Sequence, residues 1–297
     1  MIQFLLDVLI RASDLALIAV AMSAVYSLIK FPNIALVQYA VAGAMIAIAL
    51  FQAGAPLPMA IFFGTVLTGF LAMALDAVIF ARLLRTGSSS AMIGSLAVAM
   101  LFSAVFLIAI GPEPLRFATP VTPPMRFAGV RITQNQSIAI GIGVLVIGLF
   151  ALLLFKTELG RCMRATATNS VLAQATGVDT DRTRVRVVLI SGMLAALGGI
   201  CITLKGEVNI QMGLDLLLPV FAAAILGGLG NALGAVAGAL IIAVAETIIT
   251  NTNLGPLIGQ SVWFLPAPYA PAGSFVILVL ALLVRPHGIF VNEVKRV

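Results

Sequence analysis

The sequence predicts an all-α polytopic membrane protein, one transmembrane domain over residues 1–297, and three observations lead there. Of its 297 residues, 61% are hydrophobic and only 9% charged, whereas soluble domains carry about 25% charged residues. Mean hydropathy is +1.16. The apolar residues gather into stretches of about 20, the length that crosses a bilayer as a helix, and the basic residues mark the ends of those stretches.

Taken in order, the expected spans are roughly 12–29, 34–53, 57–81, 91–110, 136–155, 187–205, 217–250 and 272–285. The first ends at Lys30, the third at Arg82, the fifth at Lys156 and the last at Arg285, and the sixth begins after Arg186. The seventh is too long for one simple helix and is broken by GGLGNALG at 227–234. It is expected to be a half-helix, a turn and a full helix. The count is therefore eight spans, or nine with that stretch divided. The N-terminus lacks a basic region and a small-residue cleavage site, so the first apolar segment is expected to stay as a span.

Lys30, Arg82, Arg85, the 156–186 segment, Arg285, Lys295 and Arg296 all belong on the cytoplasmic side by the positive-inside rule. This places the N-terminus outside. One loop resists: the outer segment 111–135 carries Arg116, Arg126 and Arg131 against Glu113, and it is rich in proline, which favours ordered loop over helix. The outer segment 251–271 has no charged residue and holds Trp263 and Tyr269, residue types that anchor at membrane interfaces. A net charge of +6 reflects topology and anionic lipid rather than nucleic acid. Cys162 lies in the cytoplasmic segment and Cys201 in a span, so no disulfide is expected.

The segment 156–186 is the most informative. Lys156, Arg161, Arg164, Arg182, Arg184 and Arg186 face only Glu158, Asp179 and Asp181. Such a segment is excluded from hydrocarbon, because each charge at the bilayer centre costs about 2.5–3.5 kcal/mol on insertion scales. Ala165, Ala167, Leu172, Ala173 and Ala175 suggest a short helix closed by Gly177. A cytoplasmic loop with its own helix is expected to dock another protein.

Two apolar regions are interrupted in similar ways: FPNIALVQYAVAG at 31–43 and LGGLGNALGAVAGA at 226–239. Paired broken segments point to a transport site built on inverted repeats. Gly227, Gly228, Gly230 and Asn231 in the second, and Asn33, Gln38 and Tyr39 in the first, are the candidate pathway residues. Close helix packing at Gly227, Gly230, Gly234 and Gly238, and interhelical hydrogen bonds by the polar residues, explain the same pattern. Asp76 and Glu246 fall inside apolar stretches, with Arg82 the nearest partner for Asp76. His287 is the one histidine. Without partner histidines, metal binding and histidine catalysis are not expected. No catalytic signature and no G-x-x-x-x-G-K-[ST] occurs, so no cofactor is expected and any ATPase must be a separate chain.

Three stretches together resemble the branched-chain amino acid permease family of bacterial ABC importers. The first is LIAVAMSAVYSLIKFPNIALVQYAVAGA at 17–44, in which Asn33 and Ala35 match the family's Asn-Phe-Ala-His-Gly-like turn and Ile34, Leu36 and Val37 depart from it. The second is ARLLRTGSSSAMIGSLAVAM at 81–100, with Leu83 where the family has Pro. The third runs from Gly160 to Glu246. The resemblance implies a permease subunit in a bacterial inner membrane. It would pair with a second related permease or a second copy, two ABC ATP-binding subunits and a periplasmic solute-binding protein. It also implies that the loop around 161–177 is a coupling helix seated in the ATPase, carried by Gly160, Arg161, Arg164, Ala165 and Gly177. The solutes implied are amino acids, branched-chain or otherwise hydrophobic, or related small polar compounds. The alternative class is a secondary transporter driven by an ion gradient, which calls for carboxylates at mid-membrane.

Overall fold

A computed structural model of the chain describes residues 2–118, 123, 125–127, 130–252, 269–284 and 288, without the side chains of 126, 127, 130 and 284. Trp263, His287, Arg285, Lys295 and Arg296 lie outside the described residues.

The described chain is helical apart from one short hairpin. Its helices are α1 (Ile2–Ile29), α2 (Leu36–Gln52), α3 (Leu57–Leu75), a π-helical turn (Asp76–Phe80) running into α4 (Ala81–Thr86), α5 (Ser88–Ile110), α6 (Gln134–Lys156), α7 (Glu158–Thr168), α8 (Ser170–Ala175), α9 (Thr180–Lys205), α10 (Met212–Leu226), α11 (Ala232–Asn251) and α12 (Ala270–Val284). Between α5 and α6, β1 (Met125–Phe127) pairs antiparallel with β2 (Val130–Ile132). Six helices are long and apolar enough to cross a membrane: α1, the continuous α3–α4 segment, α5, α6, α9 and α11. Three shorter apolar helices, α2, α10 and α12, complete nine segments among the described residues. The eight expected spans become nine because the 217–250 stretch divides at Gly227–Asn231.

Two boundaries differ from the sequence expectation. α1 begins at Ile2, ten residues before the expected start at 12. Arg11, the charge just before the expected start, is matched across helices by Glu246 at 2.6 Å, and Asp14 within the span by Lys205 at 2.5 Å. α10 begins at Met212 rather than 217, because Asn209 Oδ1 accepts from the Met212 N–H at 2.7 Å and closes its first turn.

α1, α2 and α9 form the centre. Leu15 through Ala21 on α1 are all at most 2% exposed. In lipid there is little hydrophobic drive between helices, so close contact of small residues carries the packing. A Cβ on Gly199 would overlap the Ala40 carbonyl, so α9 touches α2 backbone to backbone. α3, α5, α6 and α12 form the outer ring, with Phe62, Phe70, Ile93, Met100, Leu145, Leu149, Phe275 and Leu283 exposed as a lipid-facing surface would be.

The two ends of the bundle differ. Lys30, α4, α7, α8 and the start of α9 gather at one end, where Lys30 Nζ donates to the Ala167 carbonyl at 2.8 Å. The 111–118 segment, the hairpin and the α9–α10 link gather at the other, joined by the paired backbones of Leu115 and Val208 and by Gln3, whose Oε1 accepts from the Arg131 N–H at 3.0 Å. Arg116, which sits badly with the expected topology, is matched there by Glu207 at 3.0 Å.

Candidate functional site

The loop between α6 and α9 is built by short polar caps. Thr157 accepts from the Gly160 N–H at 3.2 Å and starts α7. Gly160 must be small, since a Cβ would overlap the Leu153 and Leu154 carbonyls. The expected single helix is two. Asn169 is extended (φ −156°), and its side chain accepts from the Leu172 N–H at 3.0 Å, ending α7 and starting α8. Side-chain competition of this kind is why Asn favours caps over helix interiors. Gly177 has φ +89°. Its N–H donates to the Gln174 carbonyl at 2.9 Å and that of Val178 to Ala173 at 3.0 Å, the paired bonds of a Schellman end. Asp179 then accepts from the Arg182 N–H at 2.9 Å and opens α9.

α7 is amphipathic. Gly160, Met163 and Thr166 are buried, and Arg161, Arg164, Ala165 and Thr168 are exposed. Among the described residues Arg161 makes only an exposed pair with Glu158 at 3.5 Å, which is worth little. Arg164, though exposed, also reaches back to the membrane core. Its Nη1 donates to the Leu154 carbonyl and its guanidinium lies 5.6 Å from the Phe155 ring centroid. The cation thus caps the negative end of α6, a placement helix electrostatics favours. On α8, Val171 and Leu172 are 76% and 62% exposed, an apolar tip on a polar segment. Partial burial lowers the Lys30 ammonium below its ordinary pKa.

The glycine segment turns back between α10 and α11. Gly228 and Gly230 have φ +91° and +93°, a region that side chains disfavour. The Gly230 N–H donates to Ser23 Oγ at 3.2 Å, and Asn231 Oδ1 accepts from the Gly234 N–H at 3.0 Å, starting α11. A Cβ on Gly227 would overlap the Gly234 backbone.

These two regions, singled out separately in the sequence, meet. A cavity of about 220 Å³ is walled on one side by Met163, Arg164 and Ala167 of α7 and on the other by Gly230, Asn231 and Leu233. Ser27 of α1 and the end of α6 complete it.

Asn33, Gln38 and Tyr39 lie elsewhere. Asn33 Oδ1 accepts from the Ala35 N–H at 3.1 Å and closes its own turn. Gln38 is fully buried, donates to Ser103 Oγ at 3.2 Å and abuts Gly213. Tyr39 packs edge-on against Phe102 at 6.0 Å. Gln38 Oε1 and the Tyr39 hydroxyl are buried without a hydrogen-bond partner among the described residues. The candidate pathway residues therefore fall in two places.

The carboxylates pair differently from the sequence expectation. Asp76, 3% exposed, pairs with Arg184 of α9 at 3.2 Å and not with Arg82. Glu246 holds Arg11 and also accepts from Ser274 Oγ at 2.5 Å. Asp14, inside the first span, is bound by Lys205 through both oxygens, at 2.5 and 2.6 Å. A carboxylate inside an apolar stretch was the signal that could have found it.

Residues 4–284 match the family described as branched-chain amino acid transport system / permease component. The chain is 37% identical over 146 residues to the protein named "Probable branched-chain amino acid transport permease protein LivH" of Methanocaldococcus jannaschii, covering 49% of this chain and 44% of that one. It is 30% identical over 168 residues to the high-affinity branched-chain amino acid transport system permease protein LivH of Escherichia coli K12, covering 56% and 51%. The chain spans about half the length of the curated relatives it matches. Among solved structures, a chain assigned to a metal-chelate type ABC transporter in an inward-facing conformation aligns with TM-score 0.52 at 19% identity, over 95% of this chain and 86% of that one. That likeness is one of fold.

Proposed function

The chain belongs to the branched-chain amino acid transport system permease family, and from that premise we propose that it is the membrane-spanning subunit of an ABC importer, a single permease domain over residues 1–297. It moves amino acids, branched-chain or otherwise hydrophobic, or related small polar solutes inward by alternating access. Separate ATPase subunits drive it. The proposed assembly has two such ATPases, a second related permease or second copy, and a periplasmic solute-binding protein, in a bacterial inner membrane with the α7–α8 loop on the cytoplasmic side.

The observation that carries the reading is the cavity shared by α7 and the Gly227–Asn231 turn. A partner that grips the exposed Val171 and Leu172 would move α7, and α7 is tied to α1 through Lys30, to the end of α6 through Arg164, and to the α10–α11 turn across the cavity. Alternating access needs such a lever between an energy-coupled subunit and helices packed about a solute route. In this reading Gly160 and Gly177 shape the lever and Arg161 and Ala165 lie on its outer face, while Gly227, Gly228, Gly230, Asn231, Asn33, Gln38 and Tyr39 belong to the moving interior. The alternative of ion-gradient coupling is disfavoured, because among the described residues Asp14, Asp76 and Glu246 each already hold a cation.

The test is reconstitution. The permease is co-expressed with candidate P-loop ATPase and secreted solute-binding subunits from the same organism, purified as a complex and placed in proteoliposomes. Uptake of labelled leucine should require ATP and the binding protein and should survive collapse of ion gradients. Uptake that persists without ATP and stops with an ionophore refutes the reading.

A further inference from the structure

The outer end of the bundle holds a second cavity, about 220 Å³, that shares no residue with the α7 cleft. It opens where the start of α1, the α9–α10 link, the first turns of α10 and the start of α12 converge. Its walls divide by chemistry. Ile202, Met212, Leu216 and Pro271 are apolar, and Arg11 and Asp215 are charged.

The two charges stand in different states. Glu246, 3% exposed, grips Arg11 by Nε at 2.6 Å, and Ser274 occupies the other carboxylate oxygen. The guanidinium is therefore fixed by one edge. Its Nη donors make no hydrogen bond among the described residues, and the side chain is 32% exposed. Asp215 is exposed and has no ion pair among the described residues. Glu207, also on the rim, is engaged by Arg116 at 3.0 Å. A neighbouring cleft of about 390 Å³ also reaches Arg11, but the rest of its lining, Asp7, Glu246, Thr247, Thr250, Asn251 and Ala270, offers no large aliphatic side chain.

A pre-oriented guanidinium edge, an unpaired carboxylate and an aliphatic wall around one small cavity are the complement of one chemical class. We infer that this cavity is a solute subsite of the permease for a zwitterionic α-amino acid with an aliphatic side chain. The solute carboxylate meets the free Nη edge of Arg11, where two parallel N–H···O bonds are available. The ammonium meets Asp215, and the side chain lies among Ile202, Met212 and Leu216. The volume is below the 300–1,000 Å³ of sites for drug-sized ligands and suits one small amino acid. The inference rests on the import reading above and adds to it that the permease itself, not only an external binding protein, tells amino acids from other small solutes.

The experiment measures binding of labelled L-leucine to the purified permease–ATPase complex in nanodiscs, with no binding protein present. Saturable binding is expected, and 4-methylpentanoate, which lacks the ammonium, and leucinamide, which lacks the carboxylate, should compete about tenfold or more weakly, the scale of losing a charged hydrogen bond. Asp215→Asn, at an exposed position, should weaken leucine binding about tenfold, leave competition by 4-methylpentanoate unchanged and leave assembly intact. Arg11→Lys keeps a cation beside Glu246 but removes the planar fork, and should erase the discrimination against leucinamide. Unchanged leucine affinity in Asp215→Asn, or equal binding of leucine and 4-methylpentanoate by the wild type, overturns the subsite. If the complex imports leucine with ATP and binding protein yet binds none alone, the subsite is refuted and the import reading stands. If it neither binds nor imports any amino acid, both fall.

Discussion

Replacing Arg164 by Glu tests how firmly α7 is held to the membrane core. The wild-type guanidinium donates to the Leu154 carbonyl at the end of α6 and lies over the Phe155 ring. An exposed hydrogen bond of this kind contributes about 1 kcal/mol, and the ring contact about 0.5–1 kcal/mol. A cation at a helix C-terminus adds about 0.3–1 kcal/mol, and an anion there reverses the sign. Arg164 is exposed, so solvent screening pushes the total to the low end. Arg164→Glu should then shift the balance between docked and released α7 by about 2 kcal/mol, or about thirtyfold. Arg164→Lys keeps the charge at the helix end and should lose about 1 kcal/mol or less. Amide hydrogen exchange over 158–168 in the purified complex reads the first quantity, and leucine imported per ATP hydrolysed in proteoliposomes reads its consequence. The Glu variant should lose protection in α7 and hydrolyse ATP with little uptake, while Lys stays near wild type. Unchanged protection and unchanged coupling in the Glu variant would show that this contact does not hold α7, and the lever argument would lose one of its three ties.

Three further outcomes follow from the same geometry. Gly177→Val puts a β-branched residue at φ +89°, at a cost of about 1–3 kcal/mol, and should open the α8–α9 link to limited proteolysis and reduce ATPase recovery with the permease; equal protease resistance would show that the turn tolerates a side chain. Arg184→Ala strands Asp76 at 3% exposure and should destabilise by about 3–5 kcal/mol, whereas the double change Asp76→Leu with Arg184→Met should recover most of it in a thermal-shift assay. Equal melting of single and double variants would reject a stranded charge as the cause. With the native cysteines removed, a cysteine at Ser170 should react only with a membrane-permeant thiol reagent in intact cells and one at Ala53 also with an impermeant reagent; the reverse pattern inverts the topology and removes the docking argument.

How much of this was legible in the sequence depends on the range of the interaction involved. Spans follow from apolar length alone, and the break at 227–231 and the end at Gly177 follow from glycine's access to positive φ, a property of single residues. The caps at Thr157 and Asn169 act within three residues, yet the alanine-rich pattern reads as one helix where Asn169 divides it into two. Ion pairing was the least legible. Arg82 looked like the partner of Asp76 because it is near in sequence, but six residues along a helix is about 240° around its axis, so the side chains diverge. The true partner is 108 residues away. Asp14 and Lys205 are 191 apart, and Arg11 and Glu246 are 235 apart. Only the folded bundle brings these charges together, and until it does a charge inside an apolar stretch looks like a boundary. That is why the apolar pattern places the start of α1 ten residues late.

These long-range pairs bear on how the proposed cycle would connect its two ends. α9 leaves the proposed docking loop at Asp179 and runs for 26 residues, about 39 Å at 1.5 Å per residue. At its inner end Arg184 holds the π-helical turn of the α3–α4 segment through Asp76. At its outer end Lys205 holds α1 through Asp14, three positions from Arg11. A helix fastened at both ends by buried charge pairs cannot tilt freely, because separating either pair strands a charge at a cost of about 3–5 kcal/mol. It must carry its neighbours with it. In the proposed cycle a push on the α7–α8 loop would be transmitted to the outer end as movement of α9 together with α1, and Arg11, the residue on which the proposed subsite depends, would move with them. On this argument the energy-coupled loop and the solute subsite need no direct contact. They are joined by one stiff helix whose two ends are tied to the elements that must move.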